Sequence, residues 1–188
     1  QDGETVTANT DGTGVAAIDG AACVFYFPNP HNDIVGNAAS GGWCGFAIPV
    51  FEETQGLSRT IDDLKDFVPE TWNFIKFDSN TGHSSGFHWG AGSTFYGGGR
   101  LWTESDGTRK YSNGRYRHHT KDNTDRKKDG WMPITNCKAF LANRGFSSWG
   151  NFVRLDKFEV YDSIRTAVLF GESAIINTIY DGHTPNRP

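Results

Sequence analysis

Residues 152–161, Phe-Val-Arg-Leu-Asp-Lys-Phe-Glu-Val-Tyr, carry the period-two alternation of a β-strand. Counted without interruption, Phe152, Arg154, Asp156, Phe158 and Val160 share one face. Val153, Leu155, Lys157, Glu159 and Tyr161 share the other. Neither face is cleanly apolar, so a strand running straight through would be partly covered on both sides. The same character continues at 167–170 and 175–180. Upstream, Cys23-Val-Phe-Tyr-Phe27 is a short β-type run stopped by Pro28 and Pro30, and 43–51 (WCGFAIPVF) reads as another, interrupted by Pro49.

Outward from these strands the chain offers little helix. The best stretch lies near 60–76: Thr60 as cap, Asp62 and Asp63 in the first turn, and a stripe of Ile61, Leu64, Phe67 and Val68, broken by Pro69. A second short helix is predicted near 135–143, with Gly145 as its left-handed stop. With 188 residues, 23 Gly, 26 aromatic rings and one Met, the composition favours many turns and a core built from rings. The reading is a mainly β domain, a β-sandwich or jelly roll, over 21–188, with 1–20 as an extended, polar, Gly/Thr-rich arm that needs a sheet or a neighbour to order it. No internal repeat is evident. Residues 155–161 are similar to the closing strands of concanavalin-like sandwiches, a likeness of fewer than ten residues that names no family.

Charge is segregated. Residues 1–70 hold eleven acidic and two basic side chains; residues 108–129 hold eight Lys/Arg and three Asp, although the whole chain is only −4. Opposed blocks of this kind let copies attract one another, or let the basic block grip an anion. No apolar run approaches the roughly 20 residues needed to span a bilayer, which predicts no membrane insertion. The chain opens on Gln1, which predicts removal of an initiator Met or leader. The thirteen Asn residues all lack the N-x-Ser/Thr acceptor pattern, which favours a bacterial or viral source over eukaryotic secretion. Of three cysteines, Cys23 and Cys44 are a possible disulfide, Cys44 with Cys137 is equally allowed, and three buried thiols are the plain alternative.

Several motifs fail on context. Gly82-His-Ser-Ser-Gly86 matches a nucleophile elbow, but no buried strand precedes it and no helix follows. Gly97-Gly98-Gly99 lies in no βαβ unit and reads as a hairpin or bulge, or as a close approach of backbone to a ligand or another strand. The six histidines show no chelating spacing, so neither metal nor cofactor is expected.

The basic segment interleaves rings with cations. Candidate ligand-binding residues are Trp89, Tyr96, Trp102, Tyr111, Arg115, Tyr116, Arg117 and His118, with Asn113-Gly114 as a hairpin turn. Two function classes follow. The first is a non-catalytic, self-assembling structural protein, extracellular or part of a virion, whose main partner is itself. The second is a carbohydrate-binding module or a lyase-like enzyme acting on acidic polysaccharide through 89–119. In the second, Arg would neutralise a carboxylate, and Tyr or His would move the proton. Nucleic acid is an unlikely partner for a chain that is acidic outside one segment.

Overall fold

The structure is a computed structural model. It describes residues 7–8, 15–16, 23–48, 56–64, 74–86, 92–98, 101–103, 105–107, 109–111, 131–149, 152–171 and 173–184. Strands β1 (Thr7–Ala8) and β2 (Val15–Ala16) pair antiparallel. β3 (Cys23–Tyr26) precedes a first turn of β4 (Asp33–Val35), β5 (Ala38–Ser40) and β6 (Cys44–Ala47). A second turn holds β7 (Lys76–Asp78), β8 (Thr81–His83) and β9 (Ser93–Tyr96). β10 (Leu101–Thr103) and β11 (Arg109–Tyr111) form an antiparallel hairpin outside the stack. The third turn is β12 (Met132–Thr135), β13 (Lys138–Phe140) and β14 (Arg144–Ser148). The fourth is β15 (Val153–Asp156), β16 (Glu159–Tyr161) and β17 (Arg165–Leu169), and β18 (Ser173–Ile176) with β19 (Ile179–Asp181) begins a fifth.

Successive turns stack in parallel register into three five-stranded sheets. Sheet 1 is β3-β6-β9-β14-β17, sheet 2 is β4-β7-β12-β15-β18, and sheet 3 is β5-β8-β13-β16-β19. The architecture is a three-faced parallel β-helix. The mainly β expectation holds; the sandwich or jelly-roll arrangement, and with it the concanavalin-like resemblance, does not.

The physical reason lies inside residues 152–161. Lys157 adopts a left-handed backbone (φ 53°) between β15 and β16. That turn shifts the alternation by one. Val153, Leu155, Phe158 and Val160 are all fully buried, while Arg154 is exposed and Glu159 and Tyr161 are partly exposed. The stretch is therefore two strands bent around a corner, each with a clean apolar inner face.

The same corner recurs in every turn. Gly36, Ser79, Asn136, Lys157 and Asn177 all have positive φ between sheets 2 and 3. Gly41, Ser84, Leu141 and Asp162 have it where sheet 3 turns towards sheet 1. Left-handed backbone costs a non-glycine residue on the order of 1–2 kcal/mol. Here each corner amide up to Asp162 also donates to the turn stacked beside it. Ser79 N bonds Thr135 O at 3.0 Å, Asn136 N bonds Asp156 O at 3.0 Å, and Lys157 N bonds Ile176 O at 2.9 Å. The hydrogen-bond ladder thus runs around the bends and offsets the strain.

These corners also overturn the helix near 135–143: Asn136 and Leu141 bend the chain between three short strands. Gly145 is no helix stop. It lies in β14, where an added Cβ would sit 2.6 Å from Thr166 O and 2.8 Å from Val160. Near 60–76 the described part is two 3₁₀ turns, Gly56–Thr60 and Asp62–Leu64, and residues 74–76, which lead into β7. Ile61 is exposed there, and Thr60 Oγ1 donates back to Leu57 O at 2.7 Å instead of capping. Phe67 and Val68 lie outside the described residues.

The interior is filled unevenly, as a narrow three-sided tube requires. Sheet 1 supplies rings: Phe25 stacks on Phe46 (5.0 Å) and Phe46 on Phe95 (4.8 Å), with Phe146 next in register. Sheet 2 supplies Ile34, Phe77, Ile134 and Leu155, and Phe77 meets Phe46 and Phe95 edge-on. Sheet 3, opposite those rings, has room only for Ala39, Gly82, Ala139 and Val160. At Gly82 a Cβ would fall 2.3 Å from Thr94 Cγ2. The inner corner between sheets 2 and 3 begins with amides. The wholly buried Asn80 donates to Ile34 O (2.8 Å) and accepts from the Asn37 amide N (3.0 Å) and Nδ2 (3.1 Å). Cys137 and Phe158 continue that column.

The two longest connections, 48–75 and 97–131, both join sheet 1 to sheet 2, in consecutive turns. The acidic pairs Glu52/Glu53 and Asp62/Asp63 belong to the first, and the basic block 108–129 to the second. Both charged segments thereby fall in connections that start from sheet 1 and end at sheet 2.

Candidate functional site

Sheet 3 shows its outer face to solvent, and register alone decides what appears there. Thr81, Lys138, Glu159 and Ile179 stack in one outward column. His83, Phe140, Tyr161 and Asp181 stack in the next. Beside the first column runs the left-handed corner row of Ser79, Asn136, Lys157 and Asn177. Row and column together line a groove of about 470 Å³. It crosses four turns, so its length is about 14 Å at the parallel-strand spacing.

The polar contacts along the groove are specific. Lys138 Nζ lies 2.9 Å from Glu159 Oε2, and Tyr161 OH donates to the same oxygen at 3.0 Å. The ammonium holds the Glu159 carboxyl below its usual range, and the carboxylate pushes the Lys138 and Tyr161 values up. On the sheet 2 side of the corner, Asp78 accepts from Thr135 Oγ1 (2.6 Å), Asn136 Nδ2 (2.7 Å) and Ser79 Oγ (2.9 Å). Those donors lower its carboxyl from the ordinary value. Lys138 is half exposed, so its ion pair adds little stability and can be exchanged for another anion. In the second column His83 stacks on Phe140 at 4.7 Å and 14°. The arrangement offers hydroxyls, amides, two ammonium groups and a flat ring surface to an extended polar molecule. Among the described residues no three His, Cys, Asp or Glu side chains converge to hold a metal ion.

The site predicted from the sequence lies elsewhere. Tyr96 is on sheet 1, meeting Trp43 edge-on at 5.3 Å. Trp102 and Tyr111 belong to the hairpin, in the pairs Trp102–Lys110 and Leu101–Tyr111. Trp89, Arg115, Tyr116, Arg117 and His118, with the Asn113-Gly114 turn, lie outside the described residues. The glycine run does bring backbones together: Gly97 N donates to Ser147 O at 2.7 Å, and a Cβ at Gly97 would meet Phe146 and Ser148. In the elbow-like motif, Ser84 sits on a left-handed corner after β8, and Ser85 is buried, bonding Gly41 O and His83 O. Cys23 and Cys44 are register partners in β3 and β6 with unoxidised thiols, and Cys137 is buried at the corner between β12 and β13. Burial pushes the Cys137 thiol up to about 12.

The sequence reading missed the groove residues entirely. The available signal was the recurrence of a corner residue two positions after an apolar one: Ile34–Gly36, Phe77–Ser79, Ile134–Asn136, Leu155–Lys157 and Ile175–Asn177.

Comparison with known proteins agrees with this architecture. Residues 4–90 match the family described as the CEMIP beta-helix. The chain is similar to a G8 domain-containing protein of Dictyostelium discoideum, 40% identical over 172 residues, which covers 89% of this chain and 12% of the relative. It is similar to Protein rliB of the same organism, 40% identical over 187 residues, covering 97% of the chain and 16% of the relative. Communication mutant protein F, also from Dictyostelium discoideum, is 34% identical over 189 residues, covering 99% of the chain and 16% of that relative. The chain therefore spans less than a fifth of the length of these relatives. No solved structure matches. Nothing in these likenesses supports a virion component.

Proposed function

We propose that the chain is a glycan-binding β-helix module of an extracellular protein, holding an acidic polysaccharide along the outer groove of sheet 3 without cleaving it. The observation that carries this reading is the unbroken polar line across four stacked turns. Ser79, Asn136 and Asn177 present hydroxyl and amide groups, while Lys138 and Lys157 supply two cations within the same groove. A linear sugar chain meets a linear array of donors, and its carboxylates can take the place of Glu159 at Lys138. The likeness to β-helix and G8 domain-containing proteins supports an extracellular module within a longer protein.

The test is calorimetric titration with defined polyuronate and neutral oligosaccharides. Binding of the acidic series, weakened at least tenfold in a Lys138→Ala/Lys157→Ala variant, is the expected result. Binding to neither series by a folded protein, or binding indifferent to those lysines, overturns it. New absorbance near 235 nm on polyuronates would replace binding with elimination, the enzymatic alternative.

A second reading, self-association, has its own observation. Among the described residues nothing pairs with the outer edges of β17, β18 and β19, and Ile175 and Tyr180 are exposed there. Light scattering at low and high salt tests it: a particle that remains monomeric in both removes it.

A further inference from the structure

We infer that Cys23 and Cys44 are a cross-linking site, a dithiol that oxidises to a disulfide and fastens β3 to the first full turn of the helix. The register places the two residues directly opposite one another in adjacent parallel strands. That spacing, about 4.8 Å between backbones, falls inside the roughly 4.4–6.8 Å that a disulfide accepts. The two thiols are close enough for each to perturb the other's acidity.

Their surroundings divide the labour. Cys44 is wholly buried, its Sγ 3.1 Å from Phe46 O, and burial first, then the neighbouring sulfur, hold its thiol protonated. Cys23 is only partly buried, on the outermost strand of sheet 1, and the neighbouring Cys44 thiol lowers its value. Cys23 is thus the accessible nucleophile and Cys44 the resolving thiol. With glutathione disulfide as oxidant, the Cys23 thiolate attacks one sulfur and expels one glutathione thiolate. The Cys44 sulfur, losing its proton, then attacks the mixed disulfide and expels the second glutathione. One protein disulfide forms, and one glutathione disulfide is reduced to two glutathiones. Cys137, fully buried in another column, is the built-in control. The inference does not depend on the glycan reading.

The intact protein is equilibrated with glutathione disulfide, denatured without reductant, and alkylated. One alkylated cysteine, mapped to Cys137, with three after reduction, is the expected result. Three alkylated cysteines without reductant, or a bridge that includes Cys137, overturns the inference. In Cys44→Ser the mixed disulfide should persist at Cys23; an unmodified Cys23 overturns the assigned order of attack. Hydrogen exchange supplies a second readout on the wild-type chain. Reduction should speed exchange of the amides of residues 24–27 at least tenfold while leaving β14 and β15 unchanged. Equal rates in both redox states would show that no fastening occurs.

Discussion

The first and last described turns of the helix are built alike and buried differently. Ile34 and Ala39, inside the first turn, are 6% and 1% exposed; their counterparts Ile175 and Tyr180 are 46% and 37% exposed. The difference is company. The first turn has β7 and β8 on one side, while Phe25 and Phe27 pack against the core from the other. The last has β15 and β16 on one side and, among the described residues, nothing on the other. In a stacked coil, a turn is held by its neighbours more than by itself. A residue of the same chemistry is worth several-fold more where it is sandwiched.

The largest effect that separates the two ends is a cavity. Phe46→Ala removes a ring stacked on both sides and should cost about 3–5 kcal/mol in urea unfolding, whereas Ile175→Ala should cost less than about 1 kcal/mol. Equal losses would break the comparison. Next is the buried amide: Asn80→Ala strands the Asn37 donors and the Ile34 carbonyl, at about 1–3 kcal/mol. Thr178→Ala, at the same column of the last turn, should stay within about 0.5 kcal/mol. Without any substitution, amide exchange should be faster in β18 and β19 than in β12 to β16; uniform protection would show cooperativity that ignores neighbours.

The smallest effect is acid. Asp78 is held below its ordinary value by Thr135, Asn136 and Ser79, and Glu159 by Lys138. A lowered carboxylate contributes stability that is present above the unfolded value and lost as pH falls through the folded one. The urea midpoint should therefore decline below about pH 4. In Asp78→Asn that decline should be shallower. The last turn carries Ile176 in the column of Asp78, so that column has no carboxylate to protonate there.

Strand content was legible because Val, Ile and Phe alternate with polar residues in short runs. Their arrangement was not. A single left-handed lysine, Lys157, divides one apparent strand into two, and nothing in a lysine announces positive φ as glycine does. Asn136 and Leu141 hid two more corners inside what reads as a helix. The repeat was concealed by its interruptions. Strand starts at Met132, Val153 and Ser173 keep nearly equal spacing, but the excursions 48–75 and 97–131 separate Asp33 from Lys76 and Lys76 from Met132. The groove was invisible for a related reason. Ser79, Asn136 and Lys157 are unremarkable polar residues until stacking puts them in a row. The charge segregation was read correctly as composition, and its placement in connections from sheet 1 to sheet 2 needed the fold.

That junction has a consequence for engineering. Between sheet 1 and sheet 2 the connection shrinks to 170–172 in one turn and swells to 97–131 in another, yet the strands on either side keep parallel pairing. The rod is a chassis with a socket at each level. A foreign peptide grafted between β14 and β15 would occupy the same kind of junction as the natural long connections, while the structural load stays on the ladder.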